Sequence, residues 1–212
     1  MQLGLNPKKL VFLDETSAKT NMTRLYGRAP IGERLVDRTP HGHWVTTTYV
    51  CGLTWKGIVA PHTFVGAMNA ARFVEYIKTI LLPTLRKGDL VVMDNLSAHH
   101  NGQVKQLITS KGADVLYLPA YSPDLNPIEL SFSKLKAMLR KEKIRDVPTL
   151  KQFLLESGRR FTKKECQKYF KHKGYNVQNV RNAIARRHSP IFRYWIFRTC
   201  PSVFQVQRPS GL

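Results

Sequence analysis

Cysteine is scarce and scattered in this chain. Cys51, Cys166 and Cys200 stand alone, with no CxxC pair and no paired His. That excludes a disulfide framework and a thiolate zinc site, and a reducing cytoplasm is the expected setting. No apolar run approaches the ~18 residues that a membrane-spanning helix needs. No secretory signal opens the chain. Internal repeats and low-complexity linkers are missing as well, which excludes a solenoid or a string of tethered modules.

Acidic residues are also few. There are 14 Asp and Glu against 34 Lys and Arg, a net charge of +20. Such an imbalance fits a protein that binds a polyanion. The basic excess is densest from Lys134 to Lys173. A solvated helical face is the plain alternative, but few acids balance it, and phosphate contacts are the expectation. From Asn176 to Leu212 there is no Lys, Asp or Glu at all. This break marks 176–212 as an atypical tail outside the fold, read in an unrelated frame or past a lost stop; a genuine extension is the other reading. FRYWIF within the tail is apolar enough to pack on a surface without being required. Residues 1–175 are then expected to form one domain, and a chain of this length can support a real core.

Three of the few acids stand out. Asp14 closes the apolar run LVFLD, and Asp94 closes LVVMD. Short apolar runs bounded by polar residues read as buried strands, and function gathers at strand carboxyl ends in open α/β sheets. Glu129 lies in SPDLNPIE, with 34 residues between it and Asp94. Asn126-Pro127-Ile128-Glu129 reads as N-cap and first three residues of a helix. Ile128, Phe132, Leu135 and Leu139 then form one apolar face, and Glu129, Ser133, Lys136 and Arg140 a polar stripe beside it. Crowded carboxylates repel unless a cation offsets them. Mg²⁺ or Mn²⁺ suits an all-oxygen site, and a pair of ions would serve a phosphodiester. Taken alone, Glu129 would serve equally well in a capping box.

Strands are expected at about 9–14, Trp44–Leu53, Ile58–Val65, Leu90–Asp94 and Ala113–Leu118. Helical spacing covers Ala70 to Leu81, Val104 to Ser110, the segment from Glu129, and Thr149 to Glu156. Strands grouped first, then helix and strand in alternation, make an α/β domain with a mixed sheet.

LVFLDET, YGRAP, VVMDNLSAHH and LPAYSPDLNPIE together resemble the DDE transposases of the mariner superfamily, and more narrowly its bacterial insertion-sequence branch. The Asp-to-Glu spacing fits, and FTKKECQKYFKHKGY resembles the usual end of such proteins. The resemblance implies an RNase H-like mixed sheet flanked by helices, with Asp14, Asp94 and Glu129 as the catalytic ligands of Mg²⁺ or Mn²⁺. The implied reaction is hydrolytic nicking of double-stranded DNA at the element ends, then attack of the freed 3′-hydroxyl on target DNA. A homodimer and a bacterial, nucleoid-associated setting go with it. Family members also carry a helix-turn-helix region ahead of the catalytic domain. Here the first strand begins within ten residues of Met1, so the chain reads as a catalytic domain alone, or as the second half of a split element with a separate helix-turn-helix polypeptide as partner.

Arg24 and Arg28, in a loop rich in Arg and Gly, are expected to grip DNA, as are Lys136 and Arg140. The resemblance places a His at His99, for a phosphate near the metal; a solvated loop His is the alternative. Glu15 follows Asp14 directly and should point to the opposite face of its strand. Asp124 reads as a turn residue, and Trp44 and Tyr49 as packing residues. Two rivals remain: a non-catalytic DNA-binding remnant, and an RNase H-like nuclease that cuts without joining.

Overall fold

The computed structural model describes residues 5–24, 26–94, 102–120 and 122–176. The expected tail lies outside the described residues but for Asn176, and so do His99 and the segment around it. Five strands and five helices lie along the described residues. They are β1 (Leu10–Lys19), β2 (Thr46–Thr54), β3 (Ile58–Val65), α1 (Ala70–Tyr76), β4 (Leu90–Met93), α2 (Gly102–Ser110), β5 (Asp114–Tyr117), α3 (Ile128–Glu142), α4 (Val147–Glu156) and α5 (Lys163–His172). The sheet order is β3-β2-β1-β4-β5. β1, β2 and β3 pair antiparallel, while β4 and β5 continue parallel to β1. This is the expected mixed α/β sheet.

Alternation along β1 divides the core. Leu10 and Phe12 face one side, where Ile128, Phe132, Leu135 and Leu139 of α3 pack with Leu150 and Leu154 of α4 and Phe170 of α5. Val11 and Leu13 face the other, against Phe73, Ile77, Val104 and Ile108. The apolar face read from α3 is therefore the face it buries. Phe170 sits edge-on to Phe12 at 5.4 Å and to Trp55 at 5.6 Å between ring centroids. It ties α5 to β1 and to the β2–β3 turn. Phe170→Ala should cost about 3–5 kcal/mol, read as a lowered urea midpoint; an unmoved midpoint would mean that α5 does not stabilise the domain.

Three local expectations are corrected. β1 does not end at Asp14 but runs on to Lys19, because β2 pairs with it as far as Lys19↔Thr46. The antiparallel ladder carries the polar residues Glu15 to Lys19, which apolar patterning alone could not extend. The Ala70–Leu81 helix is α-helical only to Tyr76. It then widens into a π turn (Ile77–Leu81) and a 3₁₀ turn (Leu82–Thr84), where Pro83 has no N–H for a regular ladder. Trp44 precedes β2 and is 52% exposed, with the Lys19 ammonium 5.9 Å from its ring; Tyr49, by contrast, is buried. Among the described residues, no helix is long and apolar enough to cross a membrane.

Candidate active site

β1 and β4 run parallel in the register Leu10↔Leu90, Val11↔Val91, Phe12↔Val92. Continued by two residues, that register sets Asp14 level with Asp94 on strands roughly 4.8 Å apart. Both follow the parity of Phe12 and Val92, which belong to the α3 side of the core. The sheet thus brings the two aspartates together, one in mid-strand and one just past a strand end.

Glu129 is the second residue of α3 and is exposed. The helix begins one residue later than expected. Pro127 holds the cap position and makes no side-chain cap, so Glu129 is in no capping box. The capping box among the described residues is that of α5, where Thr162 and Glu165 bond reciprocally. Removing the capping role leaves the Glu129 carboxylate available for other work.

Asp14 carries the electrostatic signature of the site. Its Oδ1 accepts the Glu15 backbone N–H at 2.7 Å, and its Oδ2 accepts Asn126 Nδ2 at 2.9 Å. Even so, its carboxyl is pushed up from the ordinary 3.8 to about 7. Burial is the largest cause. The Glu15 N–H bond opposes it, and the charges of Glu15, Asp94 and Glu129 add to it. Asp94 and Glu129 therefore both act on Asp14, from β4 and from α3.

The carboxylates share a neighbourhood without closing on one point. Among the described residues, no three His, Cys, Asp or Glu side chains are close enough together to hold an ion; like charges resist closer approach. The donor set nevertheless fits a hard divalent cation. All its ligands are oxygens, the Asp14 carboxylate is oriented by two donors, and negative charge exceeds local compensation there.

The polar stripe of α3 also forms as expected. Glu129, Ser133, Lys136 and Arg140 line, with Phe132, a shallow groove of about 250 Å³. Glu129 is at its head, and the basic side chains of Lys136 and Arg140 lie further along. A larger cleft of about 390 Å³, lined by Lys8, Trp55, Lys56, Lys163 and Gln167, holds no carboxylate and lies toward the start of β1.

Other expected residues fall further out. Arg24 and Arg28 are exposed in the loop between β1 and β2. That loop is tied to the end of α3 by Asp37 with Lys143 at 3.1 Å, and by Arg145 to the Thr20 and Met22 carbonyls. Glu15 acts on Tyr76, which belongs to the opposite core, as the strand alternation requires. Asp124 sits exposed in a 3₁₀ turn (Pro123–Leu125). Asn126 reads from sequence as an N-cap, but its carboxamide reaches across 112 positions to Asp14. The nearness of an Asn to Glu129 is the one local sign of that contact.

The fold has solved counterparts. The pre-cleavage Mos1 transpososome matches at TM-score 0.65 and 17% identity over 87% of this chain and 57% of that one. The Mos1 mariner paired end complex with Mn matches at TM-score 0.64 and 19% identity, over 85% and 56%. The catalytic domain of Mos1 mariner transposase matches at TM-score 0.55 and 17% identity, over 84% and 82%. The chain thus has the RNase H-like fold and spans little more than half the length of the longer Mos1 chains. Comparison with curated proteins gives no match. The DDE superfamily endonuclease family matches residues 9–151, well over half of the sequence. By that match the chain belongs to the DDE superfamily endonucleases.

Proposed function

We propose that this chain is the catalytic domain of a transposase that cuts DNA and joins a freed 3′-hydroxyl to target DNA. The observation that carries the reading is that the charges of Asp94, just past β4, and of Glu129, on α3, both bear on the buried carboxyl of Asp14. Asp14, Asp94 and Glu129 would hold Mg²⁺ or Mn²⁺, as two ions. The Mos1 paired end complexes with Mn and with Mg support the metal. A bound divalent pair supplies activation of the attacking oxygen and stabilisation of the leaving one. The motifs favour the bacterial insertion-sequence branch, a nucleoid setting and a homodimer.

The protein's own residues then place the DNA. Lys136 and Arg140, along the groove from Glu129, take successive backbone phosphates and bring a scissile bond to the carboxylates. Arg24 and Arg28 flank it from the β1–β2 loop, and His99 contacts a phosphate beside the metal. The test is a supercoiled plasmid carrying inverted repeats, incubated with the chain and Mg²⁺. Nicked and joined products are expected; nicks without joining would make the protein an RNase H-like nuclease. Neither product, with duplex binding intact, would make it a DNA-binding remnant.

Phosphate contacts are indifferent to sequence and sensitive to salt. Lys136→Ala with Arg140→Ala should therefore weaken binding about equally for all duplexes. The slope of log affinity against log salt should flatten by about 2. A loss confined to one inverted-repeat sequence would show instead that these residues read bases.

A further inference from the structure

Asn126 is a buried polar residue, 5% exposed, and both ends of its carboxamide are engaged. Nδ2 donates to Asp14 Oδ2 at 2.9 Å, and Oδ1 accepts the Ile128 backbone N–H at 3.4 Å. A backbone N–H can only donate, so the Ile128 bond fixes Oδ1 as the acceptor and leaves Nδ2 to donate to Asp14. One planar group thus joins β1, at a carboxylate of the site, to the first turn of α3, one residue before Glu129.

The turn that carries Asn126 is held from behind. Asn126 N–H donates to the Pro123 carbonyl at 3.1 Å. The Tyr175 hydroxyl donates to the Leu125 carbonyl at 2.9 Å, and Lys173 Nζ to the Pro123 carbonyl at 3.1 Å. The Tyr175 ring meets Phe12 edge-on at 5.0 Å, and Phe12 is two residues before Asp14 on the same face of β1. The segment after α5 therefore braces both the turn and the strand.

We infer that Asn126 is a positioning residue of the metal site: its carboxamide orients Asp14 and sets the distance between Asp14 and the helix that bears Glu129. This rests on the metal-dependent reading above. Donors behind a ligating carboxylate fix its plane and leave the remaining lone pairs aimed at the cation. Losing such a donor typically weakens metal affinity or activity by about 10–100-fold.

Two substitutions separate positioning from simple helix capping. Asn126→Ala removes both bonds. Asn126→Asp keeps an acceptor for the Ile128 N–H but replaces the donor to Asp14 with a like charge. Mn²⁺ binding, followed by electron paramagnetic resonance, should weaken by about 10–100-fold in N126A, with nicking partly restored by excess Mn²⁺. N126D should nick no better than N126A. In the metal-free chain N126D should also lower the melting temperature at pH 8, and adding Asp14→Asn should recover most of that loss. Nicking by N126D at the unsubstituted rate would overturn the inference and leave a helix cap. So would unchanged Mn²⁺ binding in N126A, or additive melting effects in the D14N/N126D pair. If the unsubstituted chain binds no Mn²⁺, the metal-dependent function fails, while the melting cycle still reports on the Asn126–Asp14 contact. If N126A does not fold, N126D and the cycle carry the test.

Discussion

Replacing Asp14, Asp94 or Glu129 singly by Ala is expected to lower Mg²⁺-dependent nicking by on the order of 10³-fold or more, the equivalent of several kcal/mol of lost transition-state stabilisation. Duplex binding should hardly change, because the cations proposed to hold DNA lie elsewhere: Lys136 and Arg140 in the α3 groove, and Arg24 and Arg28 in the β1–β2 loop. On the proposed reading the three carboxylates act as one unit around the same charge. Any double substitution should therefore cost little more than a single one. Plasmid nicking at fixed Mg²⁺, with binding measured in parallel, decides the matter. A single variant that keeps a tenth of the activity would remove that residue from the metal-holding set. Effects that multiply in the double variants would show independent roles.

How far this site could be read in advance depends on how local its determinants are. Leu10–Leu13 and Leu90–Met93 announce buried strands by composition, and Asp94 does lie just past a strand end, whereas Asp14 lies in mid-strand. The α3 stripe is equally local: a period of 3.6 residues sets Glu129, Ser133, Lys136 and Arg140 in line whatever the tertiary structure, and those side chains line one groove. The extension of β1 through Glu15 to Lys19 is different. Those residues have no apolar run, and their strand conformation comes from pairing with Thr46–Val50, some thirty positions away. The π turn at Ile77–Leu81 follows from packing against the sheet and from Pro83 beyond it, which an apolar period cannot show. Asn126 was hidden for a related reason. An Asn before a Pro at a helix start has an ordinary local explanation as a cap, and only the arrival of β1 beside the turn gives its amide another partner. The raised Asp14 carboxyl is likewise tertiary, since burial and charges from three separate segments produce it.

That raised carboxyl gives the other large expected effect. Asp14 titrates near 3.8 when unfolded and at about 7 in the folded, metal-free chain. Between those values the folded state holds a proton that the unfolded state has released. The stability associated with Asp14 is therefore fully present below about pH 4, falls as pH rises, and is lost once pH passes about 7. A shift of roughly three pH units corresponds to at most about 4 kcal/mol. Partial contact of Asp14 with solvent reduces this to about 2–3 kcal/mol, or about 5–10 °C in melting temperature. Asp14→Asn removes the ionisation. Losing the Asn126 bond costs about 1 kcal/mol at every pH, so the informative quantity is the change in the difference between the two proteins. Metal-free D14N should gain on the unsubstituted chain steadily from pH 4 to pH 8. Mg²⁺ or Mn²⁺ should narrow that gain at pH 8, because only the ionised carboxylate binds the cation and binding to the folded state alone raises its stability. Melting curves at the two pH values, each with and without 5–10 mM metal (on the order of a weak-site dissociation constant), test both halves. A difference that stays flat with pH would mean that Asp14 is not held above its ordinary value. A pH-dependent difference that metal leaves untouched would mean that the crowded carboxylates are not a cation site.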